Sequence, residues 1–286
     1  MLYLTHMFKK ILVLAFLIVF VGGLTGTYLL YRAYENRRAE RIARLQEQSA
    51  ETTVTVIEGW NNKQIGDYYE KQGLFSKSDF LAALNKFDES KFPLLKRPTG
   101  MSLEGYMFPD TYRIPKSATP DEVINKMLAN FSSRLDSLQI TDPDAKYNGL
   151  SLYQIITLAS IIEKESGGKG TPGGTLSLQD ERDLVASVFY NRLAINQALE
   201  SDATINYATG KDTPAASASD LQIDSPYNTY KYPGLPPGPI CNPSLGSIKA
   251  ALNPAKSDYF YFLHLQPSGQ VEFSKTFAEH VKKKQQ

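Results

Sequence analysis

Residues Ser151–Ser166 read SLYQIITLASIIEKES, and the fold is decided there. Ser151 and Gln154 make a capping box, the reciprocal pairing of side chains and backbone that opens a helix. Apolar residues then fall on nearly every side of a helical wheel, so the helix is expected to be buried on most sides. Two carboxylates, Glu163 and Glu165, close it, and a glycine-rich run, Gly167–Gly174, follows. At about 100° per residue, Glu163 falls beside Leu152, Ile156 and Ala159, while Glu165 lies roughly 200° away near Gln154, Leu158 and Ile161. Periodicity by itself makes Glu163 the more desolvated carboxyl, and desolvation raises a carboxyl pKa. A carboxyl kept protonated at neutral pH can donate its proton to a leaving-group oxygen. The plainer reading pairs Glu163 with a buried arginine such as Arg192, which merely holds helices together.

Outward from this helix the same grammar continues. Thr119-Pro120-Asp121-Glu122 is a capping box with proline at the first helical position, and its helix buries Ile124, Met127, Phe131, Leu135 and Leu138. Downstream, a helix over about Asp180 to Ile195 turns Leu184, Val185, Val188 and Phe189 inward. Ser201 to Pro239 is turn-rich. Ser244 to Leu252 is a short helix stopped by Asn253-Pro254, Tyr259–Leu265 and Val271–Ser274 form a hairpin, and Thr276–Lys284 closes the chain as a helix. Upstream, Thr52–Ile57 is a short strand, Lys63–Gln72 a helix stopped by Gly73, and Ser76 caps a second helix through Phe87. Glu104–Pro115 is aromatic and turn-rich, read as a surface-forming loop with a short strand. The Gly167–Gly174 run is a flexible loop and not a phosphate loop, since Gly170 follows Lys169 and no strand precedes it.

Ile11 to Tyr31 contains no charged residue. About 20 apolar residues span a bilayer core, so this segment is expected to be a transmembrane helix. Lys9 and Lys10 precede it, while Arg32, Arg37, Arg38, Arg41 and Arg44 follow. Counted literally, those charges place the large domain in the cytoplasm. Glu35, Glu40 and Glu47 share the stretch, however, and long domains translocate despite flanking charge.

Composition narrows the function. Apolar residues make up 42% and charged residues 21% of 286, which describes a folded chain. The net charge of +1, from 31 basic and 30 acidic residues, gives no basic face for nucleic acid. Cys241 is the only cysteine, so there is no disulfide framework. His6, His264 and His280 are widely scattered, which leaves a histidine-rich metal site or a serine–histidine triad without partners. No metal or cofactor is expected.

Four stretches together carry a resemblance: Glu104–Tyr112 (EGYMFPDTY), Ala159–Ser166 (ASIIEKES), Asp183–Leu193 (DLVASVFYNRL) and Tyr227–Pro239 (YNTYKYPGLPPGP), followed by Asn253-Pro254-Ala255. In this order they resemble the YceG-like family of endolytic murein transglycosylases, the peptidoglycan terminases, from about Thr53 to the C-terminus. The resemblance implies that the second glutamate of the Glu-Lys-Glu run, Glu165, is the catalytic acid/base, against the wheel argument. Candidate substrate-binding residues are Glu163, its structural neighbour, with Asn191, Arg192, Asp202, Tyr227, Asn228, Thr229 and Tyr230. Asn191 and Arg192 are suited to hydrogen-bond sugar or orient Glu165, although a C-terminal dipole role suits Arg192 equally. Asp202 matches a family aspartate and is read as a turn residue before a second carboxylate. Tyr227 to Tyr230 have the composition of a sugar-binding wall, and equally of loop packing. Leu235–Pro239 is a stiff cleft rim. Glu104 could reach the cleft and is assigned no chemistry.

The implied architecture is α+β: a cytoplasmic tail (1–10), a transmembrane helix (11–31), a charged stalk (32–50), a truncated LysM-like subdomain (51–99) and a mixed α+β catalytic domain (100–286). The implied activity is non-hydrolytic cleavage of the MurNAc–GlcNAc bond in nascent peptidoglycan glycan strands, giving 1,6-anhydro-MurNAc ends and limiting strand length. The expected setting is the inner membrane, with the catalytic domain outside the cytoplasm and peptidoglycan synthases and division proteins as partners. Two other readings stay open: a non-catalytic, membrane-tethered peptidoglycan-binding scaffold, and a cytoplasmic pyridoxal-phosphate lyase, which needs a Schiff-base lysine. The run Gly167–Ser177 is either a lid or an inert insertion.

Overall fold

The computed structural model describes residues 22–43, 50–166, 176–211, 213, 215–265 and 269–285. The tail 1–10, half of the expected membrane span (11–21), residues 44–49 of the stalk, and 167–175 of the glycine-rich loop lie outside them. Residues 22–43 form an exposed helix, α1. Among the described residues, no helix is long and apolar enough to cross a membrane.

The remaining elements run in the order β1 (Glu51–Thr55), α2 (Asn62–Lys71), α3 (Lys77–Lys86), β2 (Thr111–Pro115), α4 (Pro120–Ser137), β3 (Lys146–Tyr147), β4 (Leu150–Ser151), α5 (Leu152–Glu165), α6 (Leu178–Ala194), α7 (Asp202–Thr209), α8 (Leu245–Leu252), β5 (Tyr261–His264), β6 (Val271–Ser274) and α9 (Phe277–Lys284). The strands make small two-stranded sheets, β1 with β2, β3 with β4, and β5 with β6. Residues Thr53–Ile114 and Ala118 onward form one compact unit, and the preceding residues with Pro115–Ser117 form another. The mixed α+β class follows from this order.

Within the larger unit, α5 is the central helix. Its capping box is present, with Ser151 accepting from the Gln154 N–H and Gln154 reaching back to the Ser151 N–H. Ile155, Ile156, Leu158, Ile161 and Ile162 are all fully buried, and the helix packs against α8, α6 and α7. Ala159 and Ser160, without bulk, let neighbouring backbone come close; Ser160 Oγ accepts the Ile240 N–H at 3.0 Å. Truncating one such isoleucine to alanine costs about 2–5 kcal/mol. α4 follows its box and buries Ile124, Met127, Phe131 and Leu135, with Leu138 only partly covered.

Two stretches differ from expectation. Residues 103–108 are core and not surface: Leu103, Tyr106 and Met107 are fully buried, and the Tyr106 ring meets Phe131 edge-on at 5.2 Å. Gly105, at φ 91°, makes this possible, because a Cβ there would lie 2.6 Å from Pro239. The stretch Ser201–Pro239, expected to be turn-rich, also holds a helix, α7. Its start is disguised because Ser201, the N-cap, makes no side-chain capping bond. The β3–β4 hairpin, not anticipated from the sequence, turns at Asn148-Gly149, both at positive φ, a dipeptide that favours tight hairpin turns.

Candidate active site

A cleft of about 940 Å³ opens beside the C-terminal end of α5. Its walls include Asn61 and Gln64 at the start of α2, Glu104, Glu165 at the end of α5, Asp202 and Tyr207 on α7, Tyr230, and Tyr261, His264, Phe277 and His280 from β5 and α9.

The two glutamates of α5 part company here. Glu163 turns into the interior, its side chain 7% exposed, and meets the N-terminus of α8. Its Oε2 accepts from the Ser244 N–H at 2.9 Å, from Ser244 Oγ at 2.5 Å and from Ser247 Oγ at 2.7 Å, and Arg182 stands 3.5 Å from Oε1. The positive end of a helix and these donors satisfy a carboxylate almost completely. The ion-pair partner is Arg182 and not Arg192, because the side chain faces α6 one helical stretch earlier. Glu163 does not line the cleft.

Glu165, partly exposed, faces the cleft. Ser201 Oγ donates to its Oε1 at 2.5 Å, and the Ala203 N–H in the first turn of α7 also favours its charged form. Ser201 therefore gives its hydroxyl to the glutamate and not to its own helix, which leaves the carboxyl in the capping place. Desolvation outweighs these contacts and holds the Glu165 carboxyl above its ordinary range; His264 opposes the rise and the Asp202 charge adds to it. The protonated form is thus accessible where an exposed glutamate is ionised.

The supporting contacts explain how Ser201 is placed. Its backbone N–H donates to Thr229 Oγ1 at 3.1 Å, and Thr229 Oγ1 lies 2.8 Å from Thr204 Oγ1. Asn228, fully buried, ties its loop together by donating to the carbonyls of Leu221 and Ile223 and accepting from the Tyr230 and Lys231 N–H groups. Tyr230 lines the cleft and donates to Asp202 Oδ1 at 2.8 Å. Asp202 is the first residue of α7, where its charge suits the helix dipole. Tyr227 packs its ring 4.9 Å from that of Tyr207. Arg192 is buried against carbonyls, donating to Phe260 O at 2.7 Å and Leu199 O at 2.8 Å, and it pairs with Glu200 at 3.0 Å. Asn191 spends both amide hydrogens on the carbonyls of Ser257 and Tyr259.

Of the expected residues, Glu165, Arg192, Asp202 and Tyr230 line one cleft, while Glu163, Asn191, Tyr227, Asn228 and Thr229 stand behind it. Sequence reasoning missed Ser201, His264 and Tyr207, which arrive from two separate segments, α7 with its N-cap and β5. Glu104 does reach the cleft. It is 6% exposed, accepts from the Asn62 N–H at 3.0 Å and from Asn242 Nδ2 at 3.2 Å, and burial pushes its carboxyl up to about 8. Among the described residues, no group of three or more His, Cys, Asp or Glu side chains is arranged to hold a metal ion.

Comparison with known proteins places this geometry. The model of the YceG-like family matches residues 13–286. A curated relative, the endolytic murein transglycosylase of Bacillus subtilis, is 37% identical over 246 residues, covering 81% of this chain and 64% of its own length. The endolytic murein transglycosylase of Streptococcus pneumoniae is 36% identical over 263 residues, covering 81% of this chain and 45% of its own. The chain thus spans between about half and two-thirds of the length of these relatives. A crystal structure of a yceG-like protein from Listeria monocytogenes superposes with a TM-score of 0.64 at 33% identity, over 80% of this chain and 75% of that one.

Proposed function

This chain belongs to the YceG-like family, and from that premise we propose that it is an endolytic murein transglycosylase that cuts nascent peptidoglycan strands internally and without water. The observation that carries the reading is the state of Glu165: a carboxyl at a helix end, held above its ordinary range and open to a cleft of about 940 Å³.

The chemistry needs one group in two protonation states. Protonated Glu165 gives its proton to the oxygen between N-acetylmuramic acid and N-acetylglucosamine as that bond breaks. The resulting carboxylate, stabilised by Ser201 Oγ and the first turn of α7, removes the proton of the muramoyl C6 hydroxyl. The C6 oxygen then closes on C1, giving a 1,6-anhydro ring and restoring the acid. Because the nucleophile belongs to the substrate, its effective molarity replaces a positioned water. A hydrolase of the usual kind places a second free carboxylate across the bond. Here the neighbouring acids are engaged: Asp202 by Tyr230, Glu200 by Arg192, and Glu104 by Asn62 and Asn242.

The apolar segment Ile11–Tyr31 is proposed as a single-pass anchor, with the catalytic unit on the outer face of the inner membrane, near synthases and division proteins that supply fresh strands. Residues 51–99 are proposed as a LysM-like remnant. The order β1–α2–α3–β2, with β1 beside β2, supports that reading, and its second strand comes from Thr111–Pro115.

The test is digestion of purified, uncross-linked glycan with the full chain, followed by mass spectrometry of the ends. Internal cuts bearing anhydromuramoyl ends are expected, and Glu165→Gln is expected to abolish them while melting like the parent. Reducing ends, or an unimpaired Glu165→Gln chain, refute the mechanism. A reporter placed after Gln286 that signals only from the cytoplasm refutes the topology.

A further inference from the structure

Where β5 and α9 line the cleft, its wall is aromatic, and the chemistry above uses none of these rings. The Arg192 guanidinium, buried and fixed by carbonyls, lies 5.2 Å from the centroid of the Tyr261 ring. Tyr261 in turn meets His280 at 5.6 Å and Phe277 at 5.8 Å, and Phe277 stacks on His280 at 6.3 Å with 28° between their planes. The series runs from a buried cation to an open ring: Phe277 is 63% exposed. Its backbone is not loose, since Phe277 is the first residue of α9 and Thr276 with Glu279 closes a complete capping box around it.

An aromatic ring at the start of a capped helix, left exposed on the cleft wall, suits a flat, uncharged, partly apolar occupant. His280 fits that picture, because burial and the positive charges of Lys284 and Arg192 hold its imidazole below the ordinary range, neutral at pH 7. Pyranose rings carry hydroxyls at their edges and C–H groups on their faces, which match the electron-rich face of an aromatic ring.

We propose that Tyr261, His280 and Phe277 form a stacking platform for a pyranose ring of the glycan strand, continuous with the cleft that holds Glu165. The proposal rests on the reading of that cleft as a glycan site. Phe277 is the contact residue, and Tyr261 and His280 position it.

The experiment measures binding of peptide-free glycan strands to the full chain carrying Glu165→Gln, so that no strand is consumed. Phe277→Ala in that background is expected to weaken binding about three- to tenfold, the range of a lost aromatic contact. Phe277→Trp is expected to restore it to within about twofold. The natural chain has one tryptophan, Trp60, so the added indole also reports directly. Its fluorescence should change on strand binding beyond any change from Trp60, a signal that a purely structural role does not produce.

Equal affinities for Phe277→Ala and its parent overturn the platform while leaving the transglycosylase reading standing. Dependence on Phe277 seen only with strands that carry stem peptides also overturns it, since the platform then takes peptide. Glycan binding that depends on Phe277 in a chain whose unmodified form makes no anhydro ends overturns the activity and keeps the platform. No binding of glycan by the parent overturns both.

Discussion

Glu163 and Glu165, two residues apart on α5, each seat their carboxyl on the N-terminus of a different helix, α8 for the first and α7 for the second. The difference between them is access to the cleft. The first is closed in by three donors and Arg182, and the second keeps an open side.

Opposite failure modes should follow. Glu163→Ala leaves Arg182 buried with, among the described residues, Glu58 at 3.7 Å as its remaining ion-pair partner, and removes the donors' acceptor at α8. The expected loss is about 3–5 kcal/mol of stability, read as a clear fall in melting temperature. Glu165→Gln should melt near the parent and lose about a hundred- to ten-thousandfold in anhydro-end formation, the scale of a missing general acid–base. A Glu163→Ala chain that is stable but inactive contradicts this division of labour.

The pH profile offers a second check. If protonated Glu165 is the acid, kcat/KM falls on the alkaline side through its raised pKa. The Ser201 hydroxyl favours the charged form, so Ser201→Ala should move the alkaline limb to higher pH, with a rate about tenfold lower at the optimum from lost positioning. The Asp202 charge disfavours the charged form, so Asp202→Asn should move the limb the other way. Shifts in the same direction for both variants exclude Glu165 as the group being titrated.

Glu104 makes a stability prediction. Its carboxyl is pushed from an ordinary 4.5 up to about 8, so the folded state binds its proton more tightly than the unfolded state. That contribution is complete below the ordinary carboxyl range and is lost as pH rises through about 8. Melting temperature should therefore decline across this window, and Glu104→Gln should flatten the decline. Parallel profiles for variant and parent dispose of the idea.

Gly105→Ala tests the buried turn. A side chain at φ 91° is strained in itself, and its Cβ would meet Pro239 at 2.6 Å and Ile156 at 2.9 Å. The cost should be about 2–5 kcal/mol by chemical denaturation. A neutral substitution means that the backbone there relaxes freely.

The helices were legible where caps and periodicity are local properties. Ser151 with Gln154, Thr119 with Glu122, and Thr276 with Glu279 each announce a helix that forms there. α7 was not, because its N-cap serine serves a glutamate 36 residues earlier. The burial of Tyr106 and Met107 was equally hidden, since it depends on Gly105 lying against a proline far along the chain. For the site, the wheel ranked Glu163 as the more desolvated carboxyl; its side chain is enclosed among donors, but the carboxyl that burial holds above its ordinary range is Glu165. Periodicity reports which face is covered and says nothing of which covered face borders a cleft. Ser201 and His264 carry no local mark at all, since only tertiary closure brings them toward Glu165.

Asn242 sets a condition on when the cleft can exist. Its side chain donates to Trp60 O, Asn62 Oδ1 and Glu104 Oε1 and accepts from the Met107 N–H, and its backbone exchanges bonds with Gly59 and Trp60, joining segments up to 183 residues apart. Loops of that span close late and slowly. A nascent chain paused before residue 242 lacks the clasp that holds the α2 side of the groove to the remainder, so the groove should stay unformed until translation has passed that asparagine.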